Sequence, residues 1–147
     1  MGLSKRHSGF TLVEVVVVVA LIALLATIAI PSYKEHVKKT RRVDAESVLV
    51  GFASALERYY SVNNTYVAPD AGSDADGLIP SPAIYPSEAP LGGGAKFYDL
   101  RMQTTARTYT VIAVPKGDQK SDGRLRLDSV GQKAWDKEDD GSWSGNW

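Results

Sequence analysis

Glu14 is the one ionisable residue in the 21-residue run from Phe10 to Ile30. A lone carboxylate in an apolar run is costly in lipid and marks a functional position. It can pair with a cation or snorkel to the headgroup level. A second acidic group lies at the other end of the chain. Asp136, Glu138, Asp140 and Gly141 match positions one, three, five and six of a calcium loop. Position twelve, normally a bidentate Glu, falls on Trp147, so an acidic solvated loop is the plainer reading. A third group is basic: Lys34, Lys38, Lys39, Arg41 and Arg42 stand against Glu35 alone. It could attract DNA phosphates or lipid headgroups, or pair with Asp44 or Glu46 of a neighbouring chain. There is no Cys and there are only two His, which excludes disulfides, cysteine nucleophiles and three-histidine metal sites. Two carboxylates poised in a cleft, a Ser/His/Asp set and a phosphate-binding glycine loop are all lacking. The chain therefore reads as a non-enzyme that needs no cofactor.

The elements that carry these groups follow from composition and periodicity. The 147 residues suit one domain, with 44% hydrophobic and 23% charged residues, ordinary for a folded protein. Lys plus Arg and Asp plus Glu both number 17, so bulk charge gives no drive toward nucleic acid. As a helix, residues 10–30 span about 31 Å, close to the hydrocarbon thickness of a bilayer. Three readings compete for this segment. A cleaved secretory signal is shorter, and the only weak small-x-small site is Thr27-Ile28-Ala29. A plain membrane anchor has no use for Glu14. The third reading gives the carboxylate a partner in another chain. The net positive charge of residues 34–42 alone would put the C-terminal side in the cytoplasm.

Beyond Pro31 the pattern becomes amphipathic. Ala45, Val48, Leu49, Phe52, Leu56, Tyr59 and Tyr60 share one helix face. One helix is predicted from about Phe10 to Ser61, kinked near Pro31, with residues 31–61 as its amphipathic half. Gly51 weakens it modestly relative to Ala. Residues 62–96 hold most of the prolines and Gly92-Gly93-Gly94, and read as a long connecting loop. From Phe97 the period is two. Strands are expected at Tyr98–Met102, Tyr109–Val114, Arg124–Asp128 and Gln132–Trp135, with a turn at Thr105–Thr108 and a polar loop at Pro115–Gly123. The fold class is α+β: a long N-terminal helix, its apolar half protruding and its amphipathic half packed on an antiparallel sheet of about four strands (residues 97–135). Residues 136–147 form a tail.

The stretch Ser8-Gly9-Phe10-Thr11-Leu12-Val13-Glu14, followed by the apolar run and Pro31, resembles the N-terminus of type IV pilins and their class III leader. Short basic leader, Gly, Phe, three residues, Glu and a long apolar helix form a specific pattern. The resemblance implies cleavage between Gly9 and Phe10 by a prepilin peptidase, removal of residues 1–9 and N-methylation of Phe10. It sets the leader inside the cell, against the charge bias. The new ammonium group of one subunit would meet Glu14 of another. Breaking one side of such a buried pair costs roughly 3–5 kcal/mol. The later stretches Glu57-Arg58-Tyr59-Tyr60, Thr108-Tyr109-Thr110 and Leu127-Asp128-Ser129 are similar to the PilE-like branch. That branch usually staples its C-terminal loop with a cysteine pair, and this chain departs from it. Trp135, Trp143 and Trp147 are expected to pack the tail instead.

The function implied is a structural subunit, major or minor, of a type IV pilus. It would serve adhesion, twitching motility or DNA uptake, with DNA or a surface as contact. The other partners implied are further pilin subunits, the prepilin peptidase/methyltransferase and an inner-membrane assembly platform. The location implied is the inner membrane as a single-pass precursor, then the surface pilus. The alternatives are a type II secretion pseudopilin and a membrane-anchored binding domain that does not polymerise.

Overall fold

The structure, a computed structural model, describes residues 9–68, 71–145 and 147. The rest of the expected leader therefore lies outside the described residues. The chain divides into two compact units, one ending at Val37 and the other beginning at Lys38. Helix α1 runs over Leu12–Asn63 and contains Pro31. Proline has no N–H to donate to the carbonyl of Thr27, four residues earlier. The Thr27 hydroxyl donates to the Leu24 carbonyl at 2.7 Å. At the far end of α1 the Asn64 N–H donates to the Tyr60 carbonyl, and Asn64 takes a positive φ of 58°. Asn tolerates that conformation better than most residues, so it ends the helix as C-terminal caps do.

The second unit is a head built on one face of α1. Ala45, Val48, Leu49, Phe52, Ala55 and Leu56 are buried, at the three- and four-residue steps that make a single stripe. Among the described residues, the sheet that covers them has seven strands, where the sequence pattern suggested about four. They are β1 (Gly72–Asp74), β2 (Gly77–Ile79), β3 (Glu88–Ala89), β4 (Tyr98–Thr104), β5 (Tyr109–Pro115), β6 (Arg124–Asp128) and β7 (Lys133–Asp136). Their order is β1-β2-β4-β5-β6-β7, with β3 pairing off this path on β4, and all pairings are antiparallel.

The three additional strands lie in the span expected to be a connecting loop. They are two or three residues long, and β2 meets β4 at a single rung, Leu78↔Met102. A strand that short carries no readable alternation, and its partner, not its own sequence, makes it a strand. The expected polar loop at 115–123 also differs. Its residues Gly117–Asp122 form a 3₁₀ helix with Gln119 and Asp122 buried.

The core is formed by the α1 stripe and by Tyr98, Leu100 and Met102 of β4, Val111 and Ala113 of β5, and Leu125 and Leu127 of β6. Alternation along these strands puts one side chain in two on the helix side. Gly51 has a packing reason to be glycine. The Tyr85 ring stacks on Phe52 at 4.9 Å, and its hydroxyl donates to the Val48 carbonyl at 3.1 Å. A methyl group at position 51 would meet that hydroxyl at 2.5 Å.

Candidate assembly site

The first half of α1 buries nothing fully within the chain. From Phe10 to Ile30 every residue is exposed except Ala26, which is half-buried. Leu12, Val15, Val19, Leu21, Ile22, Leu25 and Ile28 expose half or more of their surface on every side of the helix. The helix is long and apolar enough to cross a membrane, and none of its most apolar window is buried. A core helix of a water-soluble domain would be covered; this one has its apolar surface left for lipid or for other chains.

Glu14 sits in the first turn of that helix. Thr11 precedes the helix, and its Oγ1 accepts the Glu14 N–H at 3.2 Å, while its carbonyl accepts the Val15 N–H. Thr11-x-x-Glu14 is thus the sequence of a capping box, with Thr11 as the cap. The spacing alone signals this second role, which the charge argument passes over. Helical structure starts two residues after Phe10. Acidic side chains are favoured in a first turn by the orphan N–H groups and the helix dipole. Glu14 is therefore placed where the helix end favours a carboxylate.

The basic stretch is partly consumed by the head. Arg41 lies over the Phe97 ring at 3.7 Å, and Arg42 over the Trp135 ring at 4.0 Å. Arg42 Nη1 is also 3.4 Å from Asp122 Oδ1, a charge contact without hydrogen-bond geometry. Lys38 Nζ donates to Ser121 Oγ at 2.9 Å. Gln119 Nε2 faces three acceptors: the Lys38 carbonyl at 3.0 Å, the Tyr98 hydroxyl at 3.0 Å and Asp122 Oδ2 at 2.9 Å. The Tyr98 hydroxyl donates to Asp122 Oδ2 at 3.0 Å. Burial, and then the Asp122 charge, push the Tyr98 phenol well above its usual range. This buried knot ties the 3₁₀ helix to residues 38–42 of α1. Hydropathy alone gave no sign of it.

At the tail, the calcium reading of Asp136, Glu138 and Asp140 is not supported by the geometry. Among the described residues no three metal-ligating side chains converge. Asp136 is buried, and its carboxylate accepts the N–H groups of Asp140 and Gly141 at 3.2 and 2.8 Å. The carboxylate closes a turn, and Glu138 and Asp140 are exposed.

The same contacts show what holds a tail without a disulfide. Trp147 Nε1 donates to the Arg126 carbonyl at 3.1 Å, and Trp135 Nε1 to the Asp122 carbonyl at 2.7 Å. Arg126 lies over Trp143 at 4.6 Å and Lys133 over Trp147 at 4.4 Å. Arg124 pairs with Asp139. Gly123 has φ of 79°, and a Cβ there would overlap the Asp136 carbonyl oxygen and come within 2.6 Å of Lys137 Cα. The tail thus rests on bare backbone at Gly123.

Comparison with known proteins follows the same division of the chain. Residues 4–30 match the prokaryotic N-terminal methylation motif. Residues 31–125 match the family described as type IV minor pilin ComP, DNA uptake sequence receptor. The chain is 28% identical over 142 residues to type II secretion system core protein G of Aeromonas hydrophila, covering 95% of this chain and 94% of that protein. It is 34% identical over 71 residues to fimbrial protein EcpC of Eikenella corrodens, covering 48% and 46%. Among solved structures, the non-core minor pilin PilV of Neisseria meningitidis has a similar fold, with a TM-score of 0.52 and 17% identity over 76% of this chain and 97% of that one.

Proposed function

This chain belongs to the type IV minor pilin family, and from that premise we propose that it is a filament subunit assembled through residues 10–30. The family is a structural one, and its members assemble with other pilin subunits; an N-terminal methylation motif implies a peptidase and methyltransferase as partners. The observation that carries the proposal is an apolar helix with all of its faces uncovered, bearing a single carboxylate. Cleavage falls between Gly9 and Phe10, and Phe10 is N-methylated. Its ammonium group meets Glu14 of a neighbouring subunit as both leave the membrane. Lateral packing of residues 15–30 replaces lipid contacts with protein contacts, and the ion pair sets the register. Pro31 kinks α1 where this packing half gives way to the half that carries the head. An inner-membrane platform receives the precursor. Contact with DNA at the cell surface is carried over from the family description.

Glu14→Ala tests the reading. The variant is processed and its head keeps its melting temperature, but it is lost from sheared surface filaments. Normal incorporation would contradict the reading.

The full-length likeness to type II secretion core protein G supports a second reading, a pseudopilin of that system. Deleting the gene separates the two. Loss of pilus-dependent traits with secretion intact supports the pilus, and loss of exoprotein secretion with pili intact supports the pseudopilin.

A further inference from the structure

Where β4 and β6 end and β5 begins, the head carries a groove that assembly through residues 10–30 does not use. It has a volume of about 410 Å³ and lies between the turn after β4 and the turn after β6. The sheet register sets a row of side chains along it. Gln103 of β4 is the partner of Thr110 on β5, and Thr110 is the partner of Asp128 on β6. Adjacent strands are about 4.8 Å apart, so the row crosses roughly 10 Å of the sheet. Met102, Val111 and Leu127, the neighbours of these three along their strands, are buried in the core, so alternation turns the row to the opposite face.

The walls of the groove are fixed, and much of its polar lining has no partner. Thr105 Oγ1 accepts the N–H groups of Arg107 and Thr108 at 3.3 and 3.0 Å, which holds the turn on one side. Asp128 Oδ1 accepts the N–H groups of Val130 and Gln132 at 3.0 and 2.8 Å, which holds the turn on the other. Among the described residues, the side chains of Gln103, Thr110 and Ser129 make no hydrogen bond. Thr104 Oγ1 is buried without a partner. A buried hydroxyl in that state calls for one.

The lining decides what kind of molecule fits. Hydroxyls of Thr104, Thr108, Thr110 and Ser129, the Gln103 amide and the Asp128 carboxylate make up most of it, and no Lys, Arg or His contributes. A phosphate, a sulfate or an acidic sugar would bring negative charge to Asp128 with no cation to offset it. An apolar side chain would cut several polar groups off from water without replacing their hydrogen bonds. A neutral sugar brings hydroxyls, each both donor and acceptor, and these match a set of hydroxyls, amide and carboxylate. We propose that this groove is a binding site for a neutral glycan, in which Asp128 and the Gln103 carbonyl accept from sugar hydroxyls while Thr104, Thr110 and the Gln103 amide N–H groups donate to them. A concavity of this size with a few convergent polar groups is the usual form of a small-ligand site. Asp128 makes the strongest contact, because a hydrogen bond to a carboxylate is roughly twice as strong as a neutral one. The site lies wholly within the head and needs no second copy of the chain, so it goes beyond the filament reading.

The test is a titration of the full, isotope-labelled chain in a detergent with no sugar headgroup, read by the amide shifts of residues 103–110 and 128–130. The probes are maltotetraose, cellotetraose and lacto-N-tetraose, with 3′-sialyllactose as the anionic counterpart. At least one neutral probe is expected to shift those amides saturably in the millimolar range, and 3′-sialyllactose is expected to bind at least about threefold more weakly. Thr110→Val removes one hydroxyl with little change of shape and is expected to weaken binding about two- to tenfold, the range of one net hydrogen bond. Gln103→Ala/Thr110→Val is expected to abolish binding at an unchanged melting temperature. If the double variant melts early, Gln103→Ala alone replaces it, with about a threefold loss expected and no loss contradicting. No saturable shift with any neutral probe, shifts centred on other residues, tighter binding of 3′-sialyllactose, or full binding by the double variant would each overturn the proposal. None of these results depends on filament formation, so the Glu14→Ala test of the pilin reading stands or falls separately.

Discussion

The two ends of α1 have opposite fates for a reason written in their side chains. Over residues 45–56 apolar residues keep to one stripe, and a sheet in the same chain covers it. Over residues 12–30 they surround the helix, and among the described residues they stay exposed. One stripe needs one partner; a helix apolar all round needs partners on every side, and a single small sheet cannot supply them. The second half therefore has its apolar stripe covered within the head, and the first half keeps its apolar surface exposed. Glu14 belongs to that uncovered half, in the first turn of α1.

The sharpest way to break this contrast is to truncate one residue in each half. Phe52→Ala removes a fully buried ring and its stack with Tyr85, and should cost the head about 3–5 kcal/mol in urea unfolding. Leu21→Ala should leave head stability within about 0.5 kcal/mol, because its side chain has no core to leave. Comparable losses at both positions would mean that the first half does fold onto the head. Gly123→Ala forces a side chain against the tail backbone in a left-handed conformation. It should cost about 1–3 kcal/mol and speed proteolysis of residues 137–147.

The next prediction is a pH profile. Tyr98 and Tyr109 have phenols raised above their usual range, first by burial and then, in turn, by Asp122 and by a hydrogen bond to Glu57. A group whose folded value is raised contributes stability that is complete below its unfolded value, about 10, and is lost as pH climbs toward the folded one. The head should therefore hold its melting temperature to about pH 10 and fall beyond it, and Tyr98→Phe should flatten that fall. An unchanged profile in the variant would count against the buried knot. The smallest effect is at Gly51. Helix propensity alone predicts that Gly51→Ala gains up to about 1 kcal/mol. Displacing the Tyr85 hydroxyl from Val48 should cancel it, about 1 kcal/mol being a typical net hydrogen bond. Urea unfolding of the variant checks this, with a clear gain in stability as the contrary result.

The long elements were legible in the sequence because each carries a period. Of the expected α1 stripe, Ala45, Val48, Leu49, Phe52 and Leu56 are buried and Tyr59 and Tyr60 half-buried, and the strands β4 to β6 begin where alternation puts them. Ala55 was the one buried α1 residue outside the expected stripe. The strands β1, β2 and β3 were not legible, since two or three residues next to Gly, Asp and Pro show no pattern until a neighbour pairs with them. The uncovered half of α1 was legible in its unbroken apolar run, whereas the cap at Thr11 shows only in the Glu14 N–H that its hydroxyl accepts. Asp136 looked like a ligand by spacing and is a turn-closing acceptor by geometry. Spacing fixes which residues could meet; it does not say which backbone N–H groups reach them first. The Arg101–Asp74 and Arg124–Asp139 pairs on the outer face join residues 27 and 15 positions apart, and only the folded sheet brings them together.

If other subunits enclose the uncovered half of α1 after processing, mass spectrometry of filaments sheared from the cell surface should find this chain among the filament proteins, with its first peptide beginning at N-methylated Phe10. A chain found only in the membrane fraction, or one still beginning at Met1, would contradict it.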